Sequence, residues 1–485
     1  MMTPVQSAVI PTLGFVSEFH NQTTIHPVGL GVVLLLAVAT LAVPRRYALI
    51  PMLIIACLIP SAQRFVLAGA DFTFVRVIAI AGLLRILLKR EYTGLKWMAL
   101  DTVVVAWGVV GIIMQSLLWG EFSYVFSRIG FTVETLSIYF FGRVMLRDWN
   151  SLRSFTGALA ALAITVGPFI VIEYLTRRNM FSVFGGVSSV TMVRDGRVRC
   201  QGAFSHPILA GVFWATLLPL VASRLWYPVA NRWVAILATA SCLWIAVASA
   251  SATPLGTLAA VVLGAMAFKV RHYMRLIQWG VLFTLIGLHL VMKGPVWSLI
   301  ARTNVVGGST GYHRYLLVDR AIAYFGEWAL YGVQSTAHWG RGLFDVTNQY
   351  VLEGVRGGVL LMGLFVASIW ISFVYVGRAW RKFQFDRSKL IFCWALGVSI
   401  FGHAASFIGV SYFGQIIMLW YVTLAAAGAL GEMTAKAPVA QRARRRKRLA
   451  TPTAASRASR AGYRERLSAR IARAESAPTT GSPNS

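Results

Sequence analysis

"VGLGVVLLLAVATLAV", residues 28–43, and "WVAILATASCLWIAVASA", residues 233–250, are apolar on every face of a helix. A surface helix of a soluble domain carries polar residues along one side, and a membrane barrel strand alternates polar and apolar over about ten residues. These stretches do neither. Runs of this kind cross a bilayer as helices, because a helix satisfies its own backbone hydrogen bonds where no water can. They recur at 28–43, 47–66, 72–88, 100–119, 126–146, 154–174, 206–223, 233–250, 253–270, 274–292, 350–376, 389–408 and 412–431. Each is near the roughly 17 to 25 residues that a bilayer needs. The expected fold is all-α: a polytopic transmembrane helix bundle of about 12–13 spans over residues 28–431, with a helical extracytoplasmic loop. The second span is short enough to be re-entrant.

Composition agrees with a membrane protein. Of 485 residues, 57% are hydrophobic and 13% charged, with a mean hydropathy of +0.65, above the balance of a soluble domain. The net charge of +29 does not imply nucleic acid, because its distribution is that of a membrane protein. Twelve Arg and Lys fall in residues 441–485, starting with "QRARRRKR". The segment 432–485 reads as a basic, disordered cytoplasmic tail whose partners are anionic lipids. Cys57, Cys200, Cys242 and Cys393 are scattered, with no CxxC pair, so neither a disulfide framework nor a zinc site is implied. Residues 1–27 lack the basic start and apolar core of a cleavable signal, and read as an extracytoplasmic or interfacial segment.

Basic turns set the orientation. Arg45/Arg46, Lys89/Arg90/Lys96, Arg147/Arg153, Arg224/Arg232, Lys269/Arg271/Arg275 and Arg378/Arg381/Lys382/Arg387 alternate with nearly uncharged turns, which places them and the tail in the cytoplasm. Two segments remain for the far side, 175–205 and 293–349. Both break the rule, the first with "TRRNM" and "MVRDGRVRC", the second with Lys293, Arg302, Arg314, Arg320 and Arg341. Guanidinium forks bind phosphate oxygens in pairs and keep their charge, so an outer anion site is the chemistry these arginines suit. Pairing with Asp195, Asp319 or Glu327 is the structural alternative. Residues 312–333 have a helical period, with Tyr315, Val318, Ile322 and Phe325 on one side and Arg314, Asp319 and Arg320 toward others; Gly307–Thr310 supply a cap. Inside the spans, Arg128, Glu134 and Arg143 should face the bundle, Arg143 snorkelling to the cytoplasmic side. Arg128 and Glu134 are six apart, the wrong spacing to pair on one helix. His206 reads as a helix-start residue.

Three stretches together resemble the O-antigen ligase and O-antigen polymerase superfamily of multispanning membrane proteins, over roughly residues 70–430. They are "TGYHRYLLVDRAIAYFGEWALYGV" (310–333) followed by "DVTNQYVLEGVRGGVLLMGLFV" (345–366), then "RVRCQGAFSHPILAGVFWATLLPL" (197–220) and "SASATPLGTLAAVVLG" (249–264). The resemblance implies the GT-C-like ligase and polymerase architecture in a bacterial inner membrane. It implies glycosyl transfer from a polyprenyl-pyrophosphate glycan donor to an acceptor glycan hydroxyl at the periplasmic face, with other polysaccharide-assembly proteins as candidate partners. Arg199 and Arg314 fall at the family's functional arginines, with Arg197, Arg320 and Arg128 beside them as pyrophosphate ligands. Thr347 stands where the ligases have a functional His, which favours a polymerase over a ligase. A transporter or flippase is the third reading, disfavoured because no internal repeat is visible. With Thr347 unable to act as a base, His338 and Asp345 are the catalytic candidates, while His313 and Glu353 are further titratable groups nearby; Asn348 would bind either a substrate hydroxyl or the helix backbone. No Asp-x-Asp occurs, so the expectation is a metal-independent enzyme without a cofactor, arginines standing in the cation's place.

Overall fold

The computed structural model describes residues 22–67, 70–228, 230–302, 310–436 and 454–475. The chain divides into a unit ending at Thr434 and a second unit from Ala435. In chain order the helices are α1 (Pro27–Ala42), α2 (Ile50–Leu58), α3 (Phe74–Leu88), α4 (Ala99–Trp119), α5 (Phe122–Met145), α6 (Trp149–Thr176), α7 (Pro207–Ala222), α8 (Arg232–Ala248), α9 (Ala252–Met266), α10 (Met274–Val291), α11 (Leu299–Arg302), α12 (Thr310–Ala323), α13 (Phe325–Trp328), α14 (Gln349–Lys382), α15 (Arg387–Ser406), α16 (Gln415–Lys436) and α17 (Ala454–Glu475). Two short antiparallel hairpins, β1 (Arg64–Leu67) with β2 (Ala70–Thr73) and β3 (Val193–Arg194) with β4 (Arg197–Val198), are the sheet among the described residues. The chain is an all-α polytopic bundle. Seven of the described helical segments are long and apolar enough to cross a membrane.

Each expected span has its helix, but the second is broken. α2 has nine residues, about 13 Å of helix. Ile59 precedes Pro60, a position biased to extended backbone, and it adopts φ −114°, ψ 128°. The chain then runs on to Arg64, which bridges Thr24 just before α1. A tight turn, in which Gln63 N donates to Pro60 O at 3.0 Å, carries the chain from α2 to that bridge.

Contacts between turns define two ends of the bundle. At one, Arg45 Nη2 donates to Val144 O at 2.6 Å, Arg147 Nη1 to Thr93 O at 3.2 Å, Arg224 Nη1 to Arg153 O at 3.2 Å and Lys382 Nζ to Thr434 O at 2.6 Å. The basic turns that the sequence placed on one side thus touch one another. Arg143 does not snorkel. Its side chain is fully buried, with Nε 3.1 Å from Asp101 and Nη1 2.7 Å from Glu432. Tyr139 Oη donates to Asp101 at 2.6 Å and Arg147 reaches Glu432 at 3.1 Å. Two interior carboxylates make burial cheaper than reaching for water. Glu134 pairs across helices with Arg76 at 2.8 Å and leaves Arg128 alone.

At the opposite end, Gln63 Nε2 donates to Phe184 O (2.6 Å), Cys200 N to Ala248 O (3.0 Å), Gln415 Nε2 to Ala203 O (2.8 Å) and Gln334 Nε2 to Leu118 O (2.8 Å). Here α12, α13 and the following loop bury a small core of Leu317, Ala321, Trp328, Trp339, Leu343 and Val346 against Leu352 and Val355 of α14. This corrects the expected face: Ile322 and Phe325 are exposed, and the inward side of α12 is Gly311, Arg314, Leu317 and Ala321. Arg314 is tolerated there because partners meet its donors. Gly307–Ser309 of the expected cap lie outside the described residues.

α14 is broken at Gly357 and Gly358, the latter at φ +71°. The break frees Val355 O and Val359 N, which pair with Val333 N and Ala329 O, both at 2.8 Å. The break thereby anchors the 329–333 loop to a transmembrane helix.

Where the sequence suggested a disordered tail, residues 454–475 form α17. Alanine and arginine favour helix, and Tyr463, Leu467 and Ile471 line one exposed side at fourfold spacing. The last residues, 476–485, lie outside the described residues, as do 1–21.

Candidate functional site

The segment between α6 and α7 is held by a carboxylate. Glu173, fully buried near the end of α6, accepts hydrogen bonds from Gln201 N (3.0 Å), Gly202 N (2.9 Å) and Thr191 Oγ1 (3.2 Å). Arg199 N donates to Met192 O, and Cys200 N to Ala248 O at the end of α8. The backbone on either side of the Arg199 side chain is therefore fixed. Its guanidinium is buried, 5% exposed, and Nη2 donates to Ser251 Oγ at 2.5 Å while Nε has no partner.

Arg314 arrives at the same place from α12. Its Nη2 donates to Thr253 Oγ1 at 2.7 Å and its Nε to Gly409 O at 3.2 Å. Ser251 and Thr253 are the N-cap and second residue of α9, their Cα atoms at most about 7.6 Å apart. Residues some 115 apart in sequence thus place two guanidiniums on one helix start. The Ser251 side chain does not cap the α9 N–H groups, so the locus combines two cations with the positive end of a helix dipole. Burial pushes both guanidiniums below their usual range, for Arg199 with the positive Arg194 adding to it and Asp195 opposing. An arginine so shifted still carries its charge at neutral pH.

The carboxylates expected as structural partners are elsewhere. Asp195 stands 3.8 Å from Arg194, Asp319 accepts from Trp297 Nε1 at 3.2 Å, and Glu327 holds His338 at 2.8 Å. Among the described residues, neither Arg199 nor Arg314 forms an ion pair. One buried and one half-buried cation without carboxylates favour an anion.

Of the other expected site residues, Asn348 meets the 408–409 segment beside Arg314. Arg197 is exposed on β4, in register with Arg194. Arg320 is exposed on the outer side of α12. His338 Nε2 lies 2.8 Å from Glu327 Oε2, which also accepts from Trp339 Nε1 at 3.2 Å, and this pair is solvent-exposed. Asp345 is exposed beside His313. Among the described residues no hydrogen bond, ion pair or ring contact joins His338 or Asp345 to either arginine. Asn348 is a helix cap: Oδ1 accepts from Val351 N (3.1 Å) and Nδ2 donates to Ile408 O (3.2 Å). Of its two expected roles, the backbone one is what the geometry fills. Next to it, Thr347 Oγ1 is buried without a partner. Arg128 is in the bundle, with Glu353 and Arg356 around a cavity described below.

Two residues of this locus carried little signal in the sequence. Glu173 stands three residues before the end of α6, which puts it under the loop. His206 caps α7 through Nδ1, which accepts from Ile208 N at 3.2 Å, so Nε2 bears the proton. Burial, with the nearby Arg199 charge, pushes this imidazole down to about 4, and it stays neutral at physiological pH. Among the described residues no three His, Cys, Asp or Glu side chains gather as a metal site.

Compared with protein-family models and with curated proteins, the chain matches none.

Proposed function

We propose that the chain polymerises lipid-linked saccharide repeat units outside a bacterial inner membrane, by metal-independent glycosyl transfer from a polyprenyl-pyrophosphate glycan. The reading is supported by the convergence of Arg199 and Arg314 on Ser251 and Thr253 at the α9 N-terminus. This locus lies at the bundle end opposite the basic turns, which the positive-inside rule would assign to the cytoplasm. The diphosphate of the carrier lipid binds there, its polyprenyl chain remaining in the bilayer and its first sugar projecting outward. A hydroxyl of the acceptor sugar attacks the anomeric carbon, the bond to the diphosphate breaks, the hydroxyl proton passes to solvent, and the departing oxygen gains the charge that the guanidiniums neutralise. Such groups act most strongly where charge develops in a water-poor site. His206, donating through Nε2, is a neutral additional hydrogen-bond donor beside Arg199.

The test is elongation of a synthetic polyprenyl-pyrophosphate repeat unit by purified protein. Arg199→Ala and Arg314→Ala should each lower the rate on the order of 10²-fold or more, at normal abundance and with a chelator leaving the parent enzyme unaffected. Full activity in both variants would refute the assignment. Transfer to a lipid A-core acceptor without chain growth would make the enzyme a ligase instead.

A further inference from the structure

A cavity of about 330 Å³ opens among α4, α5, α14 and α16. Arg128, Arg356 and Glu353 line it, together with aromatic rings that include Trp107, Trp119, Trp420 and Tyr421. It reaches from Trp119, at the end of α4 away from the basic turns, down to Trp107, a depth of about 18 Å at 1.5 Å per helical residue. The segment 407–413 separates it from the arginine pair: Ile408 O and Gly409 O face Asn348 and Arg314, while Phe407, Tyr412 and Phe413 face the cavity.

Arg128 is the unexplained group. It is 9% exposed, and among the described residues its guanidinium makes no hydrogen bond and no ion pair. Its Nε is buried without a partner, and its Cζ lies 5.1 Å from the centre of the Phe131 ring. Gly111 on α4 gives Nη2 the room it occupies, since a Cβ there would collide with it. Glu353 is held by other groups, accepting from Trp107 Nε1 and Gln349 Nε2, each at 2.8 Å. Two cations and one carboxylate leave the lining one positive charge in excess, which is costly at membrane depth. One bound negative charge would balance it. The volume exceeds what a bare oxyanion needs, and flat indole and phenol faces suit the apolar face of a sugar ring.

We propose that this cavity binds one monosaccharide carrying a single carboxylate or phosphate, its anion on Arg128 and its ring against the aromatic wall. This site is separate from the Arg199–Arg314 locus, and the inference does not rest on glycan transfer.

The test needs no turnover. The native cysteines are all buried, so Gln115→Cys, or Ser127→Cys should the first fail to fold, introduces a reporter on the cavity lining. In purified protein, an anionic methanethiosulfonate should modify it at least tenfold faster than a cationic one. Glucuronic acid or glucose 1-phosphate should slow the reaction, the better protector identifying the anion. Glucose and inorganic phosphate at the same concentration should not. Adding Arg128→Gln should abolish both the reagent preference and the protection, whereas Arg199→Gln should leave both intact. Equal modification by the two reagents, protection by inorganic phosphate as good as by the sugars, or protection lost with Arg199→Gln would overturn the proposal.

Discussion

At the scale of single residues, burial separates arginines that the sequence could not rank. Arg197 and Arg199 are two positions apart, yet one is exposed on a hairpin and the other 5% exposed against Ser251. The same contrast holds for Arg320 and Arg314. The exposed His338–Glu327 pair should matter little to turnover, because surface pairs contribute roughly 0–1 kcal/mol and nothing joins this one to the arginines. His338→Ala should therefore keep the rate of saccharide elongation within about threefold, a change of about 0.65 kcal/mol at most. His206 makes a pH prediction. Its imidazole is protonated near 6.5 when unfolded and near about 4 when folded, so the unfolded state binds the proton first as pH falls. Stability is whole above pH 6.5 and declines toward pH 4, by at most about 3 kcal/mol. His206→Asn, which keeps a cap acceptor, should flatten that slope in thermal unfolding followed from pH 7 to 4.5; an unchanged slope would assign it to other groups.

At the scale of elements, the break in α14 joins membrane helix to outer loop. The sequence showed a Gly-Gly pair about ten residues after Asn348, but not that the freed Val355 O and Val359 N would be taken by Val333 N and Ala329 O. Gly358 sits at φ +71° with no room beyond it, since a Cβ would meet Leu330 O. Gly358→Ala combines backbone strain with a clash against main chain, and should cost about 2 kcal/mol or more. A lowered melting temperature and faster proteolysis between residues 329 and 346 would show it; an unchanged protease pattern would mean that the loop is anchored some other way.

At the scale of the whole molecule, the two ends are built differently. The basic end is locked by a buried network in which Arg143 binds Asp101 and Glu432 while Arg147 also holds Glu432. Removing one partner of a buried ion pair leaves the other charged and unpaired, a loss of about 3–5 kcal/mol. Glu432→Gln should therefore lower the melting temperature in detergent markedly, and the double variant with Arg143→Met should recover part of the loss. Additive losses would argue against a coupled network. Among the described residues the opposite end has no such lock around Arg199 and Arg314, whose partners are hydroxyls, a carbonyl and the Met192 thioether. That asymmetry is what a binding site for a negative ligand requires.

The sequence by itself determined the helical membrane class, the positions of nearly every apolar helix and the end of the bundle at which the basic turns gather. Hydrophobicity and loop charge are local properties, and the bilayer reads them segment by segment. It could not determine which charges meet. Arg199 and Arg314 come together because Glu173 ties down one loop and the α14 break ties down the other, and Arg128 is stranded in a cavity whose one carboxylate, Glu353, is held by Trp107 and Gln349. Those are choices among long-range partners, and burying a guanidinium is settled only by what the folded neighbours offer it.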